Sequence, residues 1–384
     1  MSRGALPAPA ADARAHSARV VAHIREAIER EGGSIPFTRY MELALYAPGL
    51  GYYVAGSRKF GEAGDFVTGP ELSPLYGAAL ARQIAAILDA SANREIVEFG
   101  AGSGALAASV LEALAAADAQ ASRYRILEVS PTLRDAQRTT IAARLPGMLE
   151  RVDWIERMPA TIDGAVVMNE VLDAIPPRLV DRREGAWLER GVTWRDGAFA
   201  WRAQPLADAG VEALARERYP AHGDYASELN PAAEALVTTV GRRLASGALL
   251  VIDYGFPRAE YYHPQRSGGT LVGHYRHRVH ADPFLWPGLS DLTSHVDFTA
   301  IARAGERAGL HVAGFTTQAS FLIGCGILDR LREAGAPESA RYLRAASAVQ
   351  KLLSPSEMGE LFKALLLARS DVPLLALRDQ SHRL

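Results

Sequence analysis

Cysteine is almost absent from this sequence, in which Cys325 is the only one among 384 residues. A single thiol excludes an internal disulfide framework and any zinc site built from several cysteines. No cysteine completes a metal site beside the clustered histidines either, and Arg276 and Arg278 are interleaved with them, so no metal is predicted for His274, His277, His280 and His295. We expect a reducing compartment, namely the cytoplasm of a bacterial type of cell. The mitochondrial matrix is the alternative, because the first 20 residues slightly resemble a transit peptide.

Long hydrophobic runs and an excess of either charge are also lacking. The most apolar stretch, 362–377, is interrupted by Arg369, Ser370, Asp371 and Pro373, so no segment is suited to span a membrane. With 42 Lys and Arg residues against 44 Asp and Glu residues, no net field attracts nucleic acid or an anionic membrane. We therefore predict a soluble globular protein without a nucleic-acid partner and without membrane insertion.

What the sequence does contain is an alternation of short apolar segments and helical segments, which is typical of a parallel sheet with helical crossovers. We predict strands at 95–99, 124–129, 152–155, 165–168 and 248–253, and helices at 104–117, 132–144 and 232–245. Apolar periodicity predicts two further helices, at 17–31 and 75–88. The predicted fold class is α/β, with a doubly wound, Rossmann-like sheet.

Breaks in this alternation divide the chain into regions. Turn signals between the apolar runs at 178–183, 187–194 and 199–202 indicate an inserted antiparallel element. The predicted regions are an N-terminal helical and lid region at 1–90, the sheet domain at 91–175 and 232–325, the insertion at 176–231, and C-terminal helices packing on the core at 326–384. The run Leu365-Leu366-Leu367 could serve a homodimer surface, but a core position is favoured.

A glycine-rich turn, Glu98-Phe99-Gly100-Ala101-Gly102-Ser103-Gly104, follows the first predicted strand of the sheet and leads into an Ala- and Leu-rich helix. Glycine permits the positive φ angles of such a turn and the close approach of a ligand to the backbone. These glycines also satisfy the dinucleotide pattern, which leaves NAD open. Glu98 favours S-adenosylmethionine, because a carboxylate would repel a pyrophosphate but can receive the ammonium group of a methionine moiety.

The next two strand ends supply further candidate cofactor contacts. Glu128 ends the second strand of the sheet and can accept hydrogen bonds from both ribose hydroxyls. This contact is expected with S-adenosylmethionine and with NAD alike. Asp153 and Trp154 end the third strand, where adenine usually lies in such sheets. A ring contact is expected there, with a tryptophan of the hydrophobic core as the alternative.

The fourth strand ends in Asn169, Glu170 and Asp173, at the carboxyl edge of the sheet beside the expected methyl donor. Methyl transfer requires that the protein hold a nucleophile in line, exclude water and accept a proton. An amide and two carboxylates can serve these ends, and paired carboxylates suit a cationic or guanidinium acceptor. The structural alternatives are a capping role for Asp173 and a solvated Glu170.

Several longer segments resemble the MidA-like family, which includes a mitochondrial assembly factor for respiratory complex I. They are 46–53 (YAPGLGYY), 64–71 (GDFVTGPE), 97–104 (VEFGAGSG), 169–176 (NEVLDAIP), 291–299 (DLTSHVDFT) and 358–363 (MGELFK), and the resemblance covers about residues 17 to 370. It implies a class I methyltransferase fold with an added domain. For the mitochondrial members it also implies protein-arginine methylation of a complex I subunit.

The segment from Asn169 to Leu172 is also similar to the first half of the double-glutamate loop of protein-arginine methyltransferases. The next glutamate is Glu184, so a second carboxylate would have to come from Asp173 or from elsewhere in the chain. We expect an S-adenosylmethionine-dependent methyltransferase acting on a protein side chain, with arginine favoured and a respiratory-complex subunit as a candidate partner. The alternatives are a small-molecule methyltransferase, a non-catalytic assembly factor that binds the cofactor structurally, and an NAD-dependent oxidoreductase.

The segment 64–71 is dense in glycine and lies in a long loop region, which is typical of a functional lid. From this composition and its place in the resemblance, we expect it to fold over the cofactor. Asp65 and Thr68 are its predicted polar contacts.

Overall fold

A computed structural model of the chain describes residues 6–55 and 68–384. Its strands are β1 Ile35–Pro36, β2 Glu95–Phe99, β3 Arg123–Leu127, β4 Val152–Ile155, β5 Ile162–Asn169, β6 Arg178–Arg183, β7 Ala186–Arg195, β8 Ala198–Pro205, β9 Tyr225–Leu229, β10 Leu244–Phe256, β11 Val272–Tyr275, β12 Arg278–His280, β13 Asp291–Thr293, β14 Val296–Asp297, β15 His311–Thr317 and β16 Phe362–Ala368. Its helices are α1 Ala11–Arg30, α2 Phe37–Tyr46, α3 Gly69–Leu72, α4 Pro74–Asp89, α5 Ala105–Ala116, α6 Pro131–Arg144, α7 Ala209–Arg218, α8 Pro231–Arg243, α9 Arg258–Tyr261, α10 Phe298–Arg307, α11 Gln318–Gly324, α12 Ile327–Arg332 and α13 Ala340–Leu353. Within these ranges, no helix combines the length and the hydrophobicity that crossing a membrane requires.

The chain forms two compact units, each assembled from three segments. The parallel-sheet unit consists of Val67–Leu172, Glu234–Pro257 and Val296–Leu384, and the antiparallel unit consists of Met1–Phe66, Asp173–Ala233 and Arg258–His295. This division differs from the expected regions at two places. Helix α4 belongs to the parallel-sheet unit because its apolar residues lie in the core of that unit, and the segment 258–295 belongs to the antiparallel unit.

The sheet of the parallel-sheet unit has the strand order β15-β16-β10-β5-β2-β3-β4, with β14 paired to β10. Strands β4, β3, β2, β5 and β10 run parallel, whereas β16 is antiparallel to both of its neighbours. The predicted doubly wound, Rossmann-like sheet is confirmed. The order reverses between β2 and β5, so the turns that follow these two strands lie side by side, where open α/β sheets bind their ligands.

The hydrophobic core explains why these segments fold as strands. All five residues of β2 and all seven of β16 are buried, so their apolar residues do not alternate with exposed polar ones as they would in a strand with one solvated face. Helix α5 supplies alanines and leucines to the same core, which lets it pack closely on the sheet.

Strand β16 corrects two expectations for the C-terminal region. Helices alone were predicted for 326–384, but Leu365, Leu366 and Leu367 are fully buried in a strand between β10 and β15. A short apolar run fits a buried strand and a buried helix equally well, and the place of β16 between β15 and β10 depends on partners elsewhere in the chain. This burial also removes the three leucines as a candidate dimer surface.

The antiparallel unit contains two sheets. The larger has the order β1-β7-β6-β9, with β8 paired to β7, and the smaller has the order β12-β11-β13. The three strands expected at 178–202 are confirmed as β6, β7 and β8. The smaller sheet lies within 272–293, which was expected to belong to the sheet domain. Val20 and Ile24 of α1 and Tyr40 of α2 pack into the core of this unit with Val192 of β7.

Candidate functional site

The glycine turn joins the end of β2 to the start of α5. Gly100, Gly102 and Gly104 all adopt positive φ, at 60°, 54° and 84°. A Cβ on Gly104 would lie 3.0 Å from the Cα of Gln137, which adds crowding to the unfavourable φ. Positive φ and close packing therefore select glycine in this turn, as the sequence pattern predicts.

Glu98 lies in β2 just before this turn and is 2% exposed. Its Oε2 accepts a hydrogen bond of 2.6 Å from the hydroxyl of Tyr124, in β3. Burial raises the pKa of Glu98 to about 7, against the lowering effect of the Tyr124 hydrogen bond. A carboxyl with this pKa is partly protonated near neutral pH, and a cation bound beside it would favour its charged form.

Gln137 connects three of the predicted cofactor residues. From α6, its Nε2 donates to the carbonyl oxygen of Gly102 at 3.1 Å and to Oε2 of Glu128 at 3.2 Å. Its Oε1 accepts from the indole nitrogen of Trp154 at 2.9 Å. Sequence reasoning missed Gln137, since one polar residue on an amphipathic helix carries no local signal of a role.

The structure separates Asp153 from this group. Its carboxylate accepts a 2.8 Å hydrogen bond from Arg123, the first residue of β3, and so lies toward the amino edge of the sheet. Consecutive residues of a strand point to opposite faces, so Asp153 does not share the Gln137 network of Trp154. A cofactor contact of Asp153 stays a prediction.

Helix α3 brings a further carboxylate to the glycine turn. Glu71 accepts a hydrogen bond from the hydroxyl of Ser103. Thr68 is the residue before this helix, and its carbonyl oxygen accepts from the backbone N–H of Glu71 at 3.1 Å. Asp65, the other expected contact, lies outside the described residues.

The turn after β5 holds Asn169 and Glu170 in a defined arrangement. The hydroxyl of Tyr76, in α4, donates to Oδ1 of Asn169 at 2.5 Å, and Nδ2 of Asn169 donates to Oε1 of Glu170 at 3.1 Å. Glu170 has a φ of 53°, and its N–H donates to the carbonyl oxygen of Ile252 at 2.8 Å. Left-handed backbone is costly for a residue with a side chain and persists only where its surroundings hold it.

Asp253 fixes the same turn from the end of β10. Its Oδ2 accepts from the N–H of Leu172 at 3.0 Å and its Oδ1 accepts from the N–H of Tyr254 at 2.9 Å. The side chain is fully buried.

Asp173 follows this turn directly and is the first residue of its segment in the antiparallel unit. Its carbonyl oxygen accepts from the N–H of Ser294 at 3.0 Å. Within the antiparallel unit, burial raises the pKa of Tyr53 well above its usual value, and the charges of Asp291 and Asp173 raise it further.

The comparison with protein families identifies the class of protein to which this chain belongs. The family described as "Putative S-adenosyl-L-methionine-dependent methyltransferase" matches residues 79–316, which include the glycine turn and the Asn169–Glu170 turn. The chain belongs to this family. Its cofactor is therefore S-adenosyl-L-methionine, and the dinucleotide alternative that the glycines left open is set aside.

Relatives of this methyltransferase cover nearly the whole chain. A protein from Burkholderia thailandensis, solved with bound S-adenosyl-homocysteine, is 49% identical, with a TM-score of 0.95 and coverage of 99% of this chain and 100% of that one. The mitochondrial protein arginine methyltransferase NDUFAF7 of Mus musculus is 29% identical over 86% of this chain and 80% of its own length. The homologue of that enzyme in Drosophila melanogaster is also 29% identical, over 87% and 81% of the two chains.

The residues present fit the cofactor of the family. In the turn from Gly100 to Gly104 three glycines take positive φ, and none carries a side chain that would keep a ligand from the backbone. Glu128 is held by hydrogen bonds from the N–H of Ser130 at 2.8 Å and from Gln137, one on each carboxylate oxygen. Each oxygen keeps a lone pair with which to accept a further hydrogen bond.

Proposed function

We propose that this methyltransferase modifies a side chain of a protein, with arginine as the favoured acceptor. The observation that carries the proposal is the Asn169–Glu170 turn, in which Tyr76 and the backbone of Ile252 hold an amide and a carboxylate at the carboxyl edge of the sheet. A carboxylate suits a guanidinium because the two groups form short, charge-assisted hydrogen bonds. The names of the mitochondrial relatives support the same acceptor.

The cofactor contacts proposed for the glycine turn follow from its shape and charge. The backbone of Gly100, Gly102 and Gly104 faces the methionine part of the cofactor, and Glu98 receives its ammonium group. The raised pKa of Glu98 supports this role, because a bound cation stabilises the charged carboxylate that burial disfavours.

The remaining cofactor contacts are assigned to the adenosine half and to the segment before α3. Glu128 accepts hydrogen bonds from the ribose hydroxyls, as acidic residues at this place do in related sheets. Trp154 lies beside the adenine ring. Thr68 is kept as a polar contact above the cofactor, and Asp65 is proposed with it on the sequence alone.

In the proposed reaction, Glu170 binds the guanidinium of the acceptor and accepts the proton that methylation releases. S-adenosylmethionine, when bound, would supply a methyl group from its positively charged sulfur to the acceptor nitrogen, leaving S-adenosyl-homocysteine. Methylation of a guanidinium releases one proton, which the Glu170 carboxylate accepts and passes to water. Asn169 orients this carboxylate through its Nδ2. Asp173 was expected to share the work, and it stays a secondary candidate because it begins a segment of the other unit.

The acceptor protein and the compartment are proposed from the family resemblance and from the cysteine content. The resemblance described above makes a subunit of a respiratory complex the first acceptor to test. We place the enzyme in a reducing compartment, either a bacterial cytoplasm or a mitochondrial matrix. Burial raises the pKa of the single thiol, Cys325, to about 12, so this thiol stays neutral and unreactive.

The acceptor can be identified by label transfer. The enzyme is incubated with S-adenosylmethionine carrying a labelled methyl group and a protein extract, after which the proteins are hydrolysed and their amino acids separated. Label in methylated arginine is the expected result. Label in another amino acid would overturn the arginine assignment, and label confined to small molecules would overturn the protein substrate. Binding of S-adenosyl-homocysteine without any transfer would favour a non-catalytic assembly factor.

Glu170→Gln tests the catalytic assignment in the same assay. Loss of a general base costs about 100-fold or more in rate, so transfer should fall by that factor while S-adenosyl-homocysteine still binds. Glu184→Gln is the matched control, because Glu184 also has a positive φ, at 49°, but lies exposed in the hairpin between β6 and β7. Equal activity of the two variants would remove Glu170 from the mechanism.

A further inference from the structure

The side chain of Gln137 makes three hydrogen bonds at the cofactor turn. It is fully buried in α6, and its amide contacts the glycine turn, the carboxylate proposed for ribose and the tryptophan proposed for adenine. These contacts come from three separate segments of the chain. One amide group therefore links the parts of the site that the two halves of the cofactor would touch.

The chemistry of the three partners allows only one orientation of this amide. Gly102 and Glu128 present acceptor oxygens to Nε2, while the indole N–H of Trp154 is a donor and faces Oε1. A flipped amide would place oxygen against two oxygens and N–H against N–H. A buried polar network with all its partners in place is rigid, because any rearrangement leaves a group without a hydrogen bond.

We infer that Gln137 is a positioning residue that holds the Glu128 carboxylate in the orientation in which it accepts hydrogen bonds from the ribose hydroxyls. This inference rests on the proposed role of Glu128. Gln137 bonds Oε2 and the N–H of Ser130 bonds Oε1, so the carboxylate cannot rotate without losing a contact. Its remaining lone pairs then keep a constant direction.

The electrostatics of Glu128 agree with this arrangement. Burial raises the pKa of Glu128, while hydrogen bonds from Ser130 and Gln137 and the nearby charge of Arg134 lower it. Removing the Gln137 donor would disfavour the charged carboxylate, which is the stronger hydrogen-bond acceptor.

A ligand pair distinguishes positioning from general support of the fold. The Gln137→Met variant keeps the length of the side chain and removes its hydrogen bonds. We measure by calorimetry the affinity for S-adenosyl-homocysteine and for its analogue without ribose hydroxyls. The variant should bind S-adenosyl-homocysteine about 10- to 100-fold more weakly than the parent. Affinity for the analogue should change by less than about threefold, because the analogue has no ribose hydroxyls that could donate hydrogen bonds to Glu128.

Two further variants control this experiment. Gln83→Met removes another fully buried amide of the same unit, whose partners are the carbonyl oxygen of Pro373 and the N–H of Leu375, and it should leave both affinities unchanged. Gln137→Asn replaces the methionine variant if that protein does not fold, since the shorter amide cannot span its three partners and should give the same ratio between ligands.

Glu128→Ala separates failure of the inference from failure of the proposed site. If Glu128→Ala binds S-adenosyl-homocysteine like the parent, the proposed ribose contact is wrong and the inference falls with it. If Glu128→Ala loses binding but Gln137→Met weakens both ligands by the same factor, Gln137 only supports the fold and the inference alone is overturned.

Discussion

The hydroxyl of Tyr76 donates a hydrogen bond of 2.5 Å to Oδ1 of Asn169, across 93 residues of sequence. The bond decides which way the Asn169 amide faces, because its oxygen is engaged by the phenol and its nitrogen is left to donate to Glu170. Burial raises the pKa of Tyr76 well above its usual value, and the charges of Glu170 and Asp253 add to this effect, so the phenol remains a donor throughout the neutral range.

Tyr76→Phe should therefore slow methyl transfer while preserving cofactor binding. Without the phenol the Asn169 amide can rotate, and a misplaced catalytic group costs about 10- to 100-fold in rate. The measurement is label transfer together with titration of S-adenosyl-homocysteine. Tyr342→Phe, in helix α13, is the control. A Tyr76→Phe enzyme as fast as the parent would show that the Asn169 orientation does not matter for transfer.

Gly104→Ala should weaken both the fold and the binding of S-adenosyl-homocysteine. Its φ of 84° costs an alanine about 1 kcal/mol, and the new Cβ would in addition press on Gln137. Gly185→Ala separates the two effects, because Gly185 has a φ of 83° and open space around the Cβ position. We expect a lower melting temperature in both variants and weaker binding, by tenfold or more, in Gly104→Ala alone. Equal binding in the two would mean that the crowding at Gln137 is harmless.

Glu98→Gln should make stability less dependent on pH. The pKa of Glu98 is about 7 in the folded protein, against 4.5 for an ordinary glutamate, so between these values the folded state holds a proton that the unfolded state has lost. The free energy of unfolding of the parent therefore falls as pH rises through this window, by about 3 kcal/mol in order of magnitude. The glutamine does not titrate and still accepts from Tyr124.

Denaturant unfolding at pH 5 and pH 8 measures this difference. Relative to the parent, Glu98→Gln should gain stability at pH 8 and little or none at pH 5, while Glu150→Gln, at an exposed position, should change neither value. A constant difference between Glu98→Gln and the parent at the two pH values would contradict the raised pKa.

Leu366→Ala should destabilise the parallel-sheet unit severely. The side chain is fully buried in β16, and removal of a buried leucine side chain costs about 2 to 5 kcal/mol. Leu377 is 67% exposed, so Leu377→Ala should stay within about 0.5 kcal/mol of the parent. Thermal unfolding followed by circular dichroism gives both values. A tolerated Leu366→Ala would be incompatible with a buried strand that pairs on both sides.

The parts of the site that sequence could predict are those encoded by neighbouring residues. A strand, three glycines and a helix follow one another in the chain, so the turn at Gly100–Gly104 is visible without tertiary information. The same holds for Asn169 and Glu170 at the end of β5. The alternation of side chains along a strand also indicates that Asp153 and its neighbour Trp154 point to opposite faces of the sheet.

The residues that sequence reasoning missed all act through long-range contacts. Tyr76 and Gln137 lie on helices whose apolar residues predict only that one face is buried. Which polar side chain of that face meets the turn depends on how the helix packs against the sheet. The position of β16 was hidden for a related reason, because its register partners lie in β10 and β15, far earlier in the chain.

Strand β16 also sets an order of events for a growing polypeptide. Synthesis from the N-terminus produces β10 and β15 before the strand that separates them, so these two cannot reach their final spacing until residue 368 has been added. Until then β10 presents an unpaired apolar edge, the kind of surface that recruits chaperones or other chains. The nascent protein should therefore depend on such protection during translation more than its stability after completion would suggest.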